Sequence, residues 1–464
     1  MCPQFPFAMR RPLPAPLRPG ALLSLPLAML ALPLLFLAPT APALAQSQTK
    51  PSALALEIER RVPAIMPRVI EWRRDLHEHP ELSGNEVRTS EMVANHLRSL
   101  GMEVRTGVGG HGVIGVLKGG KPGPVVALRA DMDALPVAEL VDLPFKSTVT
   151  STYNGQTVGV MHACGHDAHV SMLMGVAQIL TDIKAQIPGT VKFIFQPAEE
   201  GLPDGGTGAK LVIADGALDN PRVDAIFGLH VGNAPPGQIS YRPGPAMAAS
   251  NRFTIVVNGK QSHGAMPWAG TDPIVIGSQI VGALQTIISR QTDISTVPAI
   301  LTVGSFQGGV RNNIVPDSVV MEGTIRTFDV NIRRDVFERV TRTAQQIAAA
   351  SGATARVVID SGNLVTRNDS TLTLQMLPTL ERAAGAPGAH MAALWTASED
   401  FSWYQDKVPG LFFNLGITPP DKDWRTAPSN HSPLFFVDEA ALPTGVRAMA
   451  SVAVDYLLLN QNRK

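Results

Sequence analysis

The chain is 464 residues long, with 45% hydrophobic and 17% charged residues and 39 basic side chains against 39 acidic ones. Such a make-up buries a large core in two or more structural domains and excludes a fibre or a disordered tail. No basic patch marks a nucleic-acid partner, and beyond the N-terminal segment no long apolar run marks a membrane span.

Before the first acidic residue, Glu57, come Arg10, Arg11 and Arg18, then the apolar ALLSLPLAMLALPLLFLAP, then APALAQ. Charged, apolar and small-residue regions in that order predict a signal peptide over residues 1–45, with export to a periplasm or beyond the cell. Prolines in the apolar run weigh against a retained anchor, and Arg10-Arg11 leaves the twin-arginine route open. Cleavage after Ala45 removes those arginines and no acid, so the mature chain is slightly acidic. It also removes Cys2 and leaves Cys164 alone.

Three β-branched, apolar runs, residues 125–129, 190–195 and 225–228, predict strands. The first leads into Asp131 and Asp133, the second into Glu199 and Glu200, the third into His230. Between the first two, Val170, Leu173, Val176, Ala177, Leu180 and Ile183 recur at helical spacing and predict a helix over 169–186. This alternation predicts an α/β fold, a mainly parallel sheet flanked by helices, whose ligands gather at the carboxyl ends of the strands.

Ahead of that helix, MHACGHDAH (161–169) crowds three histidines, an aspartate and a cysteine into nine positions. A redox role for Cys164 lacks a resolving cysteine, and haem attachment lacks a second one; a buried inert thiol stays open. Cys164-x-His166 can place a thiolate and an imidazole on one ion. Turn polarity alone does not account for three further strand ends carrying carboxylate or imidazole.

From Asn251 the pattern changes to RFTIVVNG, a helix over 272–290, AILTVGSF, SVVMEGTIRTF, a helix over 331–350 and ATARVVID. This β-α-β-β-α-β order predicts a ferredoxin-like domain over 250–362, inserted between catalytic segments 46–249 and 363–464. The second segment adds a strand over 409–417, His431 in the loop NHSP and a helix over 438–459. GLPDGGTGAK lacks the ending of a phosphate loop, Ser262-His263 lacks a nucleophile elbow, and HEHPE lacks zincin spacing.

RADMDALP, MHACGHDAH, FQPAEEG, GLHV, GKQSHGAMP, RNNIVPD, SEDF and NHSP follow one another as in the peptidase M20 family of metallohydrolases. From residue 73 to the C-terminal helix the chain resembles its amidohydrolase branch of hippurate, N-acyl-amino-acid and auxin-conjugate hydrolases. The resemblance implies metal ligands Cys164, His166, Glu200, His230 and His431, holding two divalent ions with a shared ligand. Zn²⁺ or Mn²⁺ suits such donors, and so does Co²⁺ or Ni²⁺. It implies Glu199 as general base, with Asp131 and Asp133 orienting the ligand histidines. It makes 250–362 a dimerising lid. His263 would stabilise the transition state, often from the neighbouring subunit, and Asn313, with Arg311 as a second candidate, would meet the substrate carboxylate. His77 and Glu86 would lie near the active-site rim, and Trp268 stands where a histidine is frequent.

The expected activity is metal-dependent hydrolysis of the amide in N-acyl or N-aroyl amino acids, of hippurate or ochratoxin type. A carboxypeptidase or dipeptidase of the same superfamily is the alternative. A third reading, an exported solute-binding protein, has no need for Glu199 beside a complete ligand set.

Overall fold

The computed structural model describes residues 51–202 and 205–462, so the expected signal segment lies outside the described residues. Eight strands form one sheet in the order Glu103–Val108, Gly112–Lys118, Pro188–Gln196, Lys121–Asp131, Ala225–Gly232, Gly410–Gly416, Ile239–Tyr241, Ala389–Met391. The four in the centre, from Pro188–Gln196 to Gly410–Gly416, run parallel.

Alternation along a strand sends successive side chains to opposite faces. On Lys121–Asp131, Val126, Leu128 and Ala130 join the core beneath helices Ala53–Glu78, His166–Asp182 and Leu442–Asn460. Ala127 joins a second core on the other face with Ile194, Ile226, Phe401 and Phe412. Helix Leu442–Asn460 is apolar along its length because it is buried there.

The helix expected over 169–186 begins three residues earlier, at His166, and ends at Asp182. Gly165 makes the difference: its φ of 87° turns the loop directly into the helix, and a Cβ there would stand 2.3 Å from Val231 Cγ2. The turn therefore places Cys164 and His166 on either side of a residue that has to be glycine. The last helix starts later than its periodicity predicts, because a 3₁₀ turn, Glu439–Ala441, capped by the Asp438 side chain, precedes it.

His77 and Glu86 are buried, away from any rim. His77 Nδ1 meets Asp167 Oδ2 at 2.9 Å and its Nε2 meets Glu139 at 3.1 Å, while Arg73 Nε donates to the same Asp167 oxygen at 2.8 Å. Against the penalty of burial, Arg73 and then His77 hold the Asp167 carboxyl far below the usual carboxylate range. Its contribution is thus fully present above about pH 4, where an unfolded aspartate ionises, and is lost only in stronger acid. Asp167→Asn leaves buried cations unpaired and is expected to cost about 3–5 kcal/mol. A lowered urea midpoint at pH 7 is the readout.

A second sheet, all antiparallel, has the order Ala299–Gln307, Ser318–Thr327, Ala249–Asn258, Thr354–Ile359. Helices Pro273–Thr286 and Val330–Ala350 close a separate core on it, with Phe253, Ile255, Ile280, Leu284, Val336 and Val340. The helix expected over 272–290 leaves the α form at Thr286 for a π turn, Ile287–Gln291. The chain enters and leaves this layer beside two paired strands, Gly244–Met247 and Thr366–Asn368.

Candidate metal centre and substrate cleft

The carboxyl ends of the parallel strands converge, together with the loop that carries His431. The donor atoms of Cys164, His166 and His230 lie within 4.8 Å of one another, and so do those of Cys164, Glu200 and His431, and of His166, Glu199 and Glu200. Cys164 Sγ is 3.3 Å from His230 Nε2, and His431 Nε2 is 3.1 Å from Glu200 Oε1. All five expected ligands are therefore brought together, with Cys164 common to two of the triads.

Hydrogen bonds at the far ring nitrogens set the direction of the imidazoles. His166 Nδ1 donates to the Asp133 carbonyl at 2.8 Å, and its buried Nε2 has no hydrogen-bond partner. His230 Nδ1 donates to the Val231 carbonyl at 2.7 Å, turning Nε2 to the cluster. Anchoring one nitrogen frees the other for an ion, and a thiolate, imidazole and carboxylate set suits a divalent transition metal. His169 differs: Nδ1 donates to Asp131 at 2.5 Å and Nε2 accepts from Val231 N at 2.9 Å, so neither lone pair is left for a metal.

Asp131 thus orients His169, which the sequence leaves without a role, and lies 3.7 Å from His166 Nε2. The Asp133 carboxylate accepts from Ser83 Oγ at 2.6 Å and from the main-chain N–H groups of Glu199 at 3.1 Å and Glu200 at 2.9 Å. Its Oδ1 also lies 3.2 Å from His166 Nδ1, so Asp133 positions both the glutamate pair and that histidine ring. Ala198, at a φ of 51°, starts that turn, and Glu86 holds it by accepting from Ala198 N at 2.8 Å. His431 also has a left-handed backbone, φ 70°, with its N–H on the Ala163 carbonyl at 2.8 Å. Strained backbone held by its surroundings is usual where side chains must converge.

Burial, then the charges of Glu399, Glu200 and Asp400, push the Glu199 carboxyl well above the usual range. Glu399 and Asp400, the acids of SEDF, are themselves buried against Arg129, at 3.1 and 2.8 Å. Their place behind Glu199 is a functional feature that sequence reasoning leaves unassigned. Adjacent acids in one loop were the available signal.

The cleft over this cluster is a cavity of about 510 Å³ that also takes in Ser250, Arg326 and Asn363. Arg326, on strand Ser318–Thr327 of the inserted layer, is half-buried, and its guanidinium pairs with no carboxylate among the described residues. His263, Asn313 and Arg311 do not line this cavity. They are exposed on the inserted layer, where His263 pairs with Ile314 across a two-stranded ribbon and Gly264 N donates to the Asn313 carbonyl at 2.8 Å. The cation inside the cleft is Arg326, where the sequence directs attention to Arg311.

Strand ends that assemble a thiol, imidazoles and carboxylates beside an acid with a raised pKa define a metal-binding hydrolase. The profile of Peptidase family M20/M25/M40 matches residues 127–455, and the chain belongs to that family, whose hydrolases act on amide bonds. It is 40% identical over 407 residues to Thermostable carboxypeptidase 2 of Saccharolobus solfataricus, covering 87% of this chain and 99% of the relative. With IAA-amino acid hydrolase ILR1-like 2 of Arabidopsis thaliana it shares 39% over 402 residues, 84% and 86% of the two chains. The solved structure of Bacillus subtilis YXEP, described as a dinuclear metal binding peptidase from the M20 family, superposes with a TM-score of 0.71. It is 37% identical and covers 85% of this chain and 99% of that one.

Proposed function

We propose that the chain is an exported amidohydrolase that cuts the bond joining an acyl or aroyl group to an amino acid. The observation that carries this reading is the presence, in one cleft, of the donor cluster, Glu199 and Arg326, a cation with no carboxylate partner among the described residues. A substrate with an amide and a nearby carboxylate matches both ends. The relative named an IAA-amino acid hydrolase supports the class. Export rests on residues 1–45.

Cys164, His166, Glu200, His230 and His431 would hold two divalent ions, Zn²⁺ or Mn²⁺, with Co²⁺ or Ni²⁺ as alternatives. Bound there, the ions would polarise the scissile carbonyl and lower the pKa of water. Glu199 takes the proton from the attacking water and passes it to the departing amine. Its buried, acid-rich surroundings make it a stronger base than an exposed glutamate. Asp133 and Glu86 hold the main chain of the glutamate turn, which brings both carboxylates beside His166, Glu200 as ligand and Glu199 as base. Arg326 receives the substrate carboxylate through its planar fork. His263, Asn313 and Arg311, lying outside their own cleft, are read as serving the cleft of a second copy in a homodimer formed through the lid.

The test compares N-benzoyl-L-alanine with its carboxamide, in wild type and Arg326→Ala. Wild type should favour the free acid, and the variant should lose about 100-fold in kcat/KM on the acid alone, the 2–3 kcal/mol of a charge-assisted bidentate pair. Equal rates on acid and carboxamide in wild type would sink the reading.

A further inference from the structure

A second cavity, of about 500 Å³, opens off the metal cleft: Met247, Trp395, Ser429 and Asn430 line both. We infer that it is the acyl-side pocket and that it selects a bulky, neutral, aromatic acyl group. The inference rests on the amidohydrolase reading above.

Direction comes first. Arg326 lines the metal cleft but not this cavity. A substrate with its carboxylate on Arg326 and its amide over the donor cluster therefore points its acyl end past Trp395. That ring stands at the junction, its centroid 6.3 Å from the His230 ring and edge-on to it. Beyond it Tyr241, Met391, Leu394 and Trp424 form an apolar and aromatic wall, beside the neutral polar side chains of Asn233, Gln238, Ser240 and Asn414. Apolar walls gain most when a rigid aromatic group displaces water from them, and flat rings meet aromatic side chains favourably. An acetyl methyl leaves nearly all of this surface wet.

Charge comes second. No carboxylate occurs among the described residues that line the cavity. Its cationic side chain, Arg242, donates to the main-chain carbonyls of Pro245 at 3.0 Å and Ala392 at 2.8 Å. His390 is likewise tied, Nε2 to the Pro387 carbonyl at 3.0 Å. A cationic group on the far part of the acyl chain finds no carboxylate here, whereas a neutral aroyl group brings no charge to be desolvated. The pocket thus favours neutral acyl groups over charged ones, which the carboxylate end alone does not.

The experiment uses the metal-loaded protein and one amino acid, L-alanine, so that the acyl group is the only large apolar part. N-acetyl-, N-benzoyl- and N-(2-naphthoyl)-L-alanine and the dipeptide Phe-Ala are compared in wild type, Ala393→Trp and Trp424→Ala. Binding of the acid product 2-naphthoate is followed in the same proteins by tryptophan fluorescence. The expected kcat/KM for the naphthoyl substrate exceeds that for acetyl by at least about 100-fold. Ala393→Trp, which fills the cavity, should erase at least tenfold of that advantage and leave the acetyl rate unchanged. Trp424→Ala should do the same by removing a wall, and guards against misfolding of the first variant. Equal acetyl and naphthoyl rates, losses shared by both substrates in the variants, or a preference for Phe-Ala would overturn the inference and leave the hydrolase reading standing. Binding of 2-naphthoate that Ala393→Trp weakens, with no amide cleaved, would keep the pocket and remove the hydrolase reading.

Discussion

Glu199→Gln is expected to lower kcat by about 10²- to 10⁴-fold, the usual worth of a positioned general base, with KM for N-acyl amino acids little changed. The substitution keeps shape and removes proton affinity. Around Glu199, burial and then the charges of Glu399, Glu200 and Asp400 raise the proton affinity of the carboxylate, so that in its ionised form it is a stronger base than an exposed glutamate. The main-chain bond from Glu199 N to Asp133 is untouched, so the loop and Glu200 should stay in place. Metal content measured on the purified variant separates the two ways of failing. Full metal with lost turnover supports the base; full metal with near-normal turnover would remove Glu199 from the mechanism.

Removal of divalent ions by a chelator should take turnover to background, and readdition should restore it. Cys164→Ala, which deletes a donor shared by two triads, should not be restored. Ion affinity should also depend steeply on pH. In the metal-free chain, hydrogen bonds to Cys164 and Glu200 push the His431 imidazole up to about 10, and burial, then Glu200, raises the Cys164 thiol. Both groups therefore hold protons at neutral pH and must lose them to bind an ion. Affinity rises with pH between 6 and 8 by about tenfold per unit for each proton expelled. Chelator competition at several pH values measures the slope. Cys164→Ser should lower it by one proton, and a flat dependence would contradict the assigned ligands.

Much of the site was legible because its residues sit where local pattern speaks. Asp131, Glu199 and His230 follow β-branched runs, and the carboxyl end of a buried parallel strand is where such a fold gathers ligands. Cys164 and His166 are two residues apart, with a glycine whose close approach to Val231 holds the turn. His77 was harder to place because a charged residue near a helix end ordinarily faces water. Its partner Asp167 stands 90 positions away in sequence, and pairing across that distance is what permits burial. The same holds for Arg129, whose partner Asp400 is 271 positions on.

Local pattern in the sequence carried the α/β class of fold, the strand–helix alternation along the chain and the short spacing of Cys164 and His166, since periodicity and short spacings are properties of neighbouring residues. Tertiary structure alone decided which nitrogen of each histidine is free, that Asp131 serves His169, and that Arg326 and not Arg311 enters the cleft. It also decided that Trp395, Trp424 and Tyr241, from distant segments, enclose one cavity. These outcomes depend on the direction of side chains across packed elements. That direction is set by contacts between residues tens to hundreds of positions apart, which no local pattern records.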